Sequence, residues 1–253
     1  MDHHYVWVLY EHKYMLEILY QDEHMVAINK PGGLLVHRSL IDKHEHEFAM
    51  QLTRDQIGKR VYLVHRLDRP TSGVLLFALN SETARQISEE FSQRRVMKRY
   101  LALVRGYCDD KGCIDYALKE QLDKYSDAKS RDDKQAQPAV TEYSCVQKVE
   151  LPFKVGRYNT ARFSWLSLTP HTGRKHQLRR HLKHIFHPIV GDTSHGDGKQ
   201  NGFFRDQYQC HRLMLHASSL QLLHPVSRSP LKIQAPLPDD LRSPLIRIGI
   251  DID

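Results

Sequence analysis

Cysteine is scarce in this chain. Four occur in 253 residues, Cys108, Cys113, Cys145 and Cys210, and no two stand in CxxC spacing. That excludes a disulfide scaffold and a thiolate zinc cluster. A chain of this length can build a core without staples, so the four are expected to be reduced thiols of a cytoplasmic protein. Long apolar runs are also missing. Nothing approaches the ~18 consecutive apolar residues of a membrane span. The opening MDHHYVWVLY, with an acid at position 2 and a short apolar run, has no signal-peptide pattern. No Walker A loop, GxGxxG, GxSxG or HExxH occurs, so nucleotide-cofactor, serine-hydrolase and zincin chemistry have no footing. Acid is in deficit: 30 Asp and Glu stand against 37 Lys and Arg, a net charge of +7. That imbalance points to a polyanionic partner.

What is present divides the chain into three parts. Residues 1–14 carry no hydrophobic period and read as an N-terminal extension, with Met15 a candidate start; residues 15–240 read as one domain and 241–253 as a tail. MLEILYQDEHMVAINKPGGLLVH predicts two short strands around Gln21-Asp22-Glu23, then a Pro-Gly-Gly loop. VYLVHRL and GVLLFALN predict strands on either side of a short connection. Ser81 is placed to cap a helix carrying Ala84, Ile87 and Phe91. KRYLALVRGY, PAVTEYSCVQKVEL and ARFSWLSLTP predict strands, and KEQLDKYSDAKSRDDKQAQP a loop. Thr172 is placed to cap a helix through GRKHQLRRHLKHIFHP, with an apolar stripe of Leu178, Leu182 and Ile185. RLMLHASSLQLLHP predicts a strand pair. Strands and helices mix without a βαβ rhythm, so the class is α+β.

Basic charge is clustered. Arg94, Arg95, Lys98, Arg99 and Arg105 form one group without acids; Arg174, Lys175, Arg179, Arg180 and Lys183 form another, interleaved with His176, His181 and His184. Any one such run is usually a solvated face. Two in a basic chain shift the balance toward phosphate binding, without separating DNA from RNA. The histidines have neither acid nor cysteine beside them, and the cations around them repel a dication, so no metal site is expected.

One carboxylate stands out. In VHRLDRPTSG, residues 64–73, Asp68 lies between Arg66 and Arg69 on the connection between two predicted core strands. A turn aspartate is ordinarily structural. Here flanking cations favour the ionised form, and a carboxylate held ionised and aimed is a usable nucleophile.

HRLDRPTSG resembles the signature of the RluA family of pseudouridine synthases. KRYLALVRG at 98–106, GRKHQLRRHL at 173–182 and LMLHASSLQLLHP at 213–225 resemble that family's other landmarks, in the same order, and the likeness runs from about Met15 to Pro236. It implies a mixed, mainly antiparallel central sheet flanked by helices and loops. It also implies isomerisation of an RNA uridine to pseudouridine, without a cofactor or metal, by a monomer. Asp68 matches the catalytic aspartate, and Arg66 the arginine that fills the space left by the flipped base. Tyr100 matches the tyrosine that stacks on that base and is implicated in removing its proton. Arg179 matches the basic partner of the aspartate. Arg69, Arg174, Lys175, Arg180 and Lys183 are candidate RNA contacts. Cations such as Arg179 are expected to favour the Tyr100 phenolate, with burial opposing them. The short chain without an S4 domain, Pro70 and HPIVGDTSHGDGKQN resemble the group acting on uridine 65 of tRNA. Pro70 and Lys175 depart from the acid and threonine common in the family, and both changes make the site more basic. A ribosomal RNA synthase and a non-catalytic RNA-binding module are the alternatives.

Overall fold

The computed structural model describes residues 15–38, 46–120 and 135–252. Among these residues ten strands form one sheet: β1 (Glu17–Gln21), β2 (Met25–Lys30), β3 (Tyr62–Leu63), β4 (Ser72–Ala78), β5 (Met97–Arg105), β6 (Lys111–Asp115), β7 (Val140–Leu151), β8 (Ala161–Pro170), β9 (Leu215–Leu223) and β10 (Pro230–Gln234). The main path runs β1-β2-β4-β9-β5-β8-β7-β6, with β3 on β4 and β10 on β9. Every pairing is antiparallel except β4 with β9. The helices among the described residues are α1 (Ala49–Ile57), α2 (Ser81–Ser92), α3 (Gln177–His184), α4 (Gly198–Tyr208) and α5 (Asp239–Arg247). This is the expected α+β class with a mixed, mainly antiparallel sheet.

Burial explains the strand composition. β4 is buried at all seven positions and reads as an unbroken small and apolar run, SGVLLFA, as a central strand covered on both faces must. β7 lies toward the sheet margin, and three of its four exposed positions are charged, Glu142, Lys148 and Glu150, with Val146 the exception. The largest core packs β5, β8 and β9 against Leu178 and Leu182 of α3, Phe204 of α4 and Leu241 and Leu245 of α5. Ile248 and Ile250 belong to the same core, so the segment expected to be a tail is integral to the domain. None of the described helices is long and apolar enough to cross a membrane.

Four local expectations are corrected. The VYLVHRL strand shrinks to Tyr62–Leu63, because the chain leaves the sheet to form the loop that bears Asp68. RLMLHASSLQLLHP is one strand, not a pair, its partner β10 lying beyond it. The α2 cap is Asn80, whose Oδ1 accepts from Thr83 N at 2.8 Å; Ser81 is the first helical residue. Thr172 does not cap α3. Its hydroxyl donates to Gln177 Oε1 at 2.6 Å and accepts from Val140 N at 3.0 Å, and the helix starts at Gln177 after His176 in a left-handed conformation, φ 54°. The predicted loop after β6 lies largely outside the described residues, as do residues 1–14.

Candidate active site

The Asp68 loop is held from below by a lysine. Thr71 N donates to Asp68 O at 3.0 Å, closing a turn over Arg69-Pro70. Gly33 N donates to Arg69 O at 2.9 Å, and Arg69 Nε donates to Gly33 O at 3.0 Å. Beneath them Lys30 is wholly buried, and its ammonium donates to Pro31 O at 2.7 Å, Leu34 O at 2.8 Å and Arg69 O at 3.1 Å. Burial draws its pKa down to about 7. The Pro-Gly-Gly loop and the Asp68 loop are thus one clamped unit. Past Asp68 the chain enters β4 at Ser72, and at the next residue, Gly73, φ 114°, a Cβ would lie 2.2 Å from Ala217 O of β9. Only glycine permits the close β4–β9 approach that fixes the loop's exit.

Asp68 is partly exposed, and Arg179 is its cationic partner. Arg179 Nη1 stands 3.4 Å from Asp68 Oδ2, with the arginine side chain 4% exposed and the aspartate 27%. The guanidinium is held more firmly elsewhere. Its Nε and Nη2 donate to the two oxygens of Asp192 at 2.7 and 2.8 Å. Asp192 also accepts from the backbone N–H groups of Ser194 and His195, each at 2.9 Å. Burial alone would raise the Asp192 carboxyl, but hydrogen bonds from Arg179 and the His195 amide hold it below its ordinary range. Sequence reading missed Asp192: nothing local in IVGDTSHG separates it from a turn aspartate. A second tie joins the same elements, His176 Nδ1 lying 3.0 Å from His195 Nε2.

Tyr100 sits on β5 at a register shift against β9, between Arg99 and Leu101. Such bulges re-aim side chains beside active sites. Its phenol pKa is pushed up, first by burial and then by the Asp68 carboxylate. The expected opposing pull of Arg179 does not prevail, because burial outweighs it and Asp68 adds negative charge.

Asp68, Tyr100, Leu178 and Arg179 meet in a cavity of about 640 Å³ whose lining also includes Arg66, Arg94, Lys98 and Arg174. The volume suits a ligand the size of a nucleotide. Arg66 is exposed at this cavity. Arg174 lines it and also donates to Pro138 O at 3.3 Å. Lys175 and Lys183 are exposed. Arg180 is less available than expected, since its Nη1 donates to Lys119 O at 2.9 Å. The neighbouring histidines are separately engaged: His181 lies 3.0 Å from both Thr141 Oγ1 and Tyr116 O, and His184 stacks on Tyr116 at 3.7 Å. Among the described residues no group of three or more His, Cys, Asp or Glu is placed to hold a metal ion.

A carboxylate, an arginine and a tyrosine that share one cation-lined cavity suit a polyanionic ligand. Comparison with known proteins narrows this class. The model of the RNA pseudouridylate synthase family matches residues 24–184, and the chain belongs to that family. It is 54% identical over 224 residues to "tRNA pseudouridine synthase C" of Vibrio parahaemolyticus, covering 88% of this chain and 91% of that protein. It is likewise 54% identical to the protein of that name from Haemophilus influenzae, covering 93% and 98%. The Pectobacterium carotovorum protein of that name is 59% identical over 87% of this chain, which spans 59% of its length. Human RNA Pseudouridylate Synthase Domain Containing 4 superposes with a TM-score of 0.68 at 29% identity, covering 93% of this chain and 94% of that one.

Proposed function

We propose that this protein is a tRNA pseudouridine synthase that isomerises uridine 65, working as a cytoplasmic monomer. The observation that carries the reading is the convergence of Asp68, Tyr100 and Arg179 on one cation-lined cavity, which simple RNA binding does not require. The names of relatives that align over nearly their whole length support tRNA as the substrate.

The reaction breaks the N1–C1′ bond, turns the uracil and joins C5 to C1′. A base inside a duplex is out of reach, so it must be extruded into the cavity. Arg66, exposed at the mouth, is suited to fill the vacated stack and touch phosphate, having a planar cation. Tyr100 and Leu178 offer the ring and the apolar surface between which an extruded uracil fits. Asp68 acts on the ribose or the base. Arg179 pairs with it and aims it, and Arg69 and Lys30 hold its loop. Arg174, Lys175, Arg180 and Lys183 contact RNA phosphates. Residues 15–240 carry the catalytic site, and Leu241, Leu245, Ile248 and Ile250 complete the core of the same unit.

Site-resolved pseudouridine mapping of total RNA, with and without the gene, tests this. Loss of one signal at position 65 of tRNA is the expected result. Loss of a ribosomal RNA signal with tRNA unchanged would overturn the substrate, and no lost signal would favour a binding module.

A further inference from the structure

Lys98 lines the cavity two residues before Tyr100 and is half-buried. An ammonium has three N–H donors. Lys98 uses one on Thr172 O at 3.1 Å, and no carboxylate among the described residues pairs with it. Lys30 is the contrast: wholly buried, it satisfies its ammonium on three carbonyls. A cation taken from water ordinarily finds a counter-charge. Arg66, Arg94 and Arg174 line the same cavity, whose one lining carboxylate, Asp68, pairs with Arg179 instead. Burial, and then Arg94, lower its pKa to about 8. Gly173 lies alongside, and even a Cβ built there would stay 4.0 Å from the ammonium, so no side chain from that position covers it.

We propose that Lys98 binds a backbone phosphate adjoining the target nucleotide, completing its coordination only when RNA is seated. This rests on the reading that an RNA uridine enters the cavity. An extruded nucleotide brings its two flanking phosphates to the rim with it. A desolvated ammonium gains more from a full anion than from a uracil carbonyl, because charge-assisted bonds are about twice as strong as neutral ones. Thr172 holds the ammonium in place beforehand, so the phosphate meets a positioned donor.

The test is a cycle between protein and RNA. Synthetic substrates carry a single neutral methylphosphonate at each of the phosphates around the target uridine, and kcat/KM is measured with wild type and Lys98→Met. Lys98→Met should lower kcat/KM on unmodified RNA by about 10- to 100-fold, the range of one to two charge-assisted bonds. One methylphosphonate should cost wild type a similar factor and cost Lys98→Met almost nothing, while the others penalise both enzymes alike. Full, additive penalties at every phosphate would overturn the proposal and leave Lys98 a structural tie to Thr172. If Lys98→Met melts, Lys98→Gln keeps a donor for Thr172 and runs the same cycle. If wild type binds the RNA but forms no pseudouridine, the reaction reading fails, and the cycle run on binding affinity still decides the phosphate contact.

Discussion

Arg179 gives its bidentate face to Asp192, at 2.7 and 2.8 Å, and only one N–H to Asp68, at 3.4 Å. The arginine is therefore oriented before substrate arrives, and Asp68 takes the remaining donor. Asp192→Ala would strand a buried guanidinium and should destabilise the fold by about 3–5 kcal/mol. Asp192→Asn keeps one acceptor and should fold, but with turnover lowered by about 10- to 100-fold and RNA affinity nearly unchanged, because the aim of Arg179 is loosened. Urea denaturation beside a single-turnover assay checks both. Wild-type turnover in the Asn variant would reduce Asp192 to a loop anchor.

Asp68→Asn preserves shape and removes charge. Turnover should fall by on the order of 10³-fold or more, with RNA affinity little changed because phosphates dominate it. Near-normal turnover would falsify the catalytic role.

Tyr100 separates two roles by one atom. Phe supplies the same stacking surface, whereas proton removal from C5 needs the hydroxyl or a path through it. Burial and Asp68 both hold the phenol protonated, so any proton it accepts must be relayed as it gives up its own. Tyr100→Phe should bind RNA like wild type and form little pseudouridine; Tyr100→Leu should also bind less well. A Phe variant turning over at the wild-type rate would leave Tyr100 a stacking platform only.

Stability should decline on mild acidification. Burial lowers the pKa of His195 and of His216 to about 4. His216 is wholly enclosed, with Nδ1 2.8 Å from Ser72 Oγ and Nε2 3.2 Å from Ala235 O. Between the unfolded histidine value of ~6.5 and about 4, the unfolded chain binds protons that the folded one refuses, so stability drops as pH falls through that window and then levels for these groups. Asp22, lowered to about 2, adds its own loss only below its ordinary value of 3.8. Denaturation midpoints measured from pH 7 to pH 4 check this, and a flat profile would mean that both histidines charge in the folded state.

Where the signal was local, the sequence alone located these elements and residues. Unbroken apolar composition marked β4, the run KRYLALVRG marked β5, and VHRLDRPTSG singled out Asp68 on a connection between core elements. Ordered motifs brought Tyr100 and Arg179 into the same reading, because each motif carries its residue types in a fixed local frame. Contacts between distant segments were not legible. The parallel β4–β9 pairing joins Ser72 to His216, and it exists because Gly73 has no Cβ to strike Ala217. The Tyr100 bulge depends on the strand opposite, not on KRY. The α3 start was misplaced because Thr172, a good cap by composition, spends its hydroxyl on Gln177 and the β7 backbone instead. Asp192 was passed over for the same reason, and Lys98 was read only as one member of a basic cluster. An aspartate in a glycine turn and a lysine in a basic run look ordinary until packing removes their water. What then decides their role is which partner the fold brings within reach: an arginine for Asp192, and for Lys98 a single carbonyl beside an open cavity.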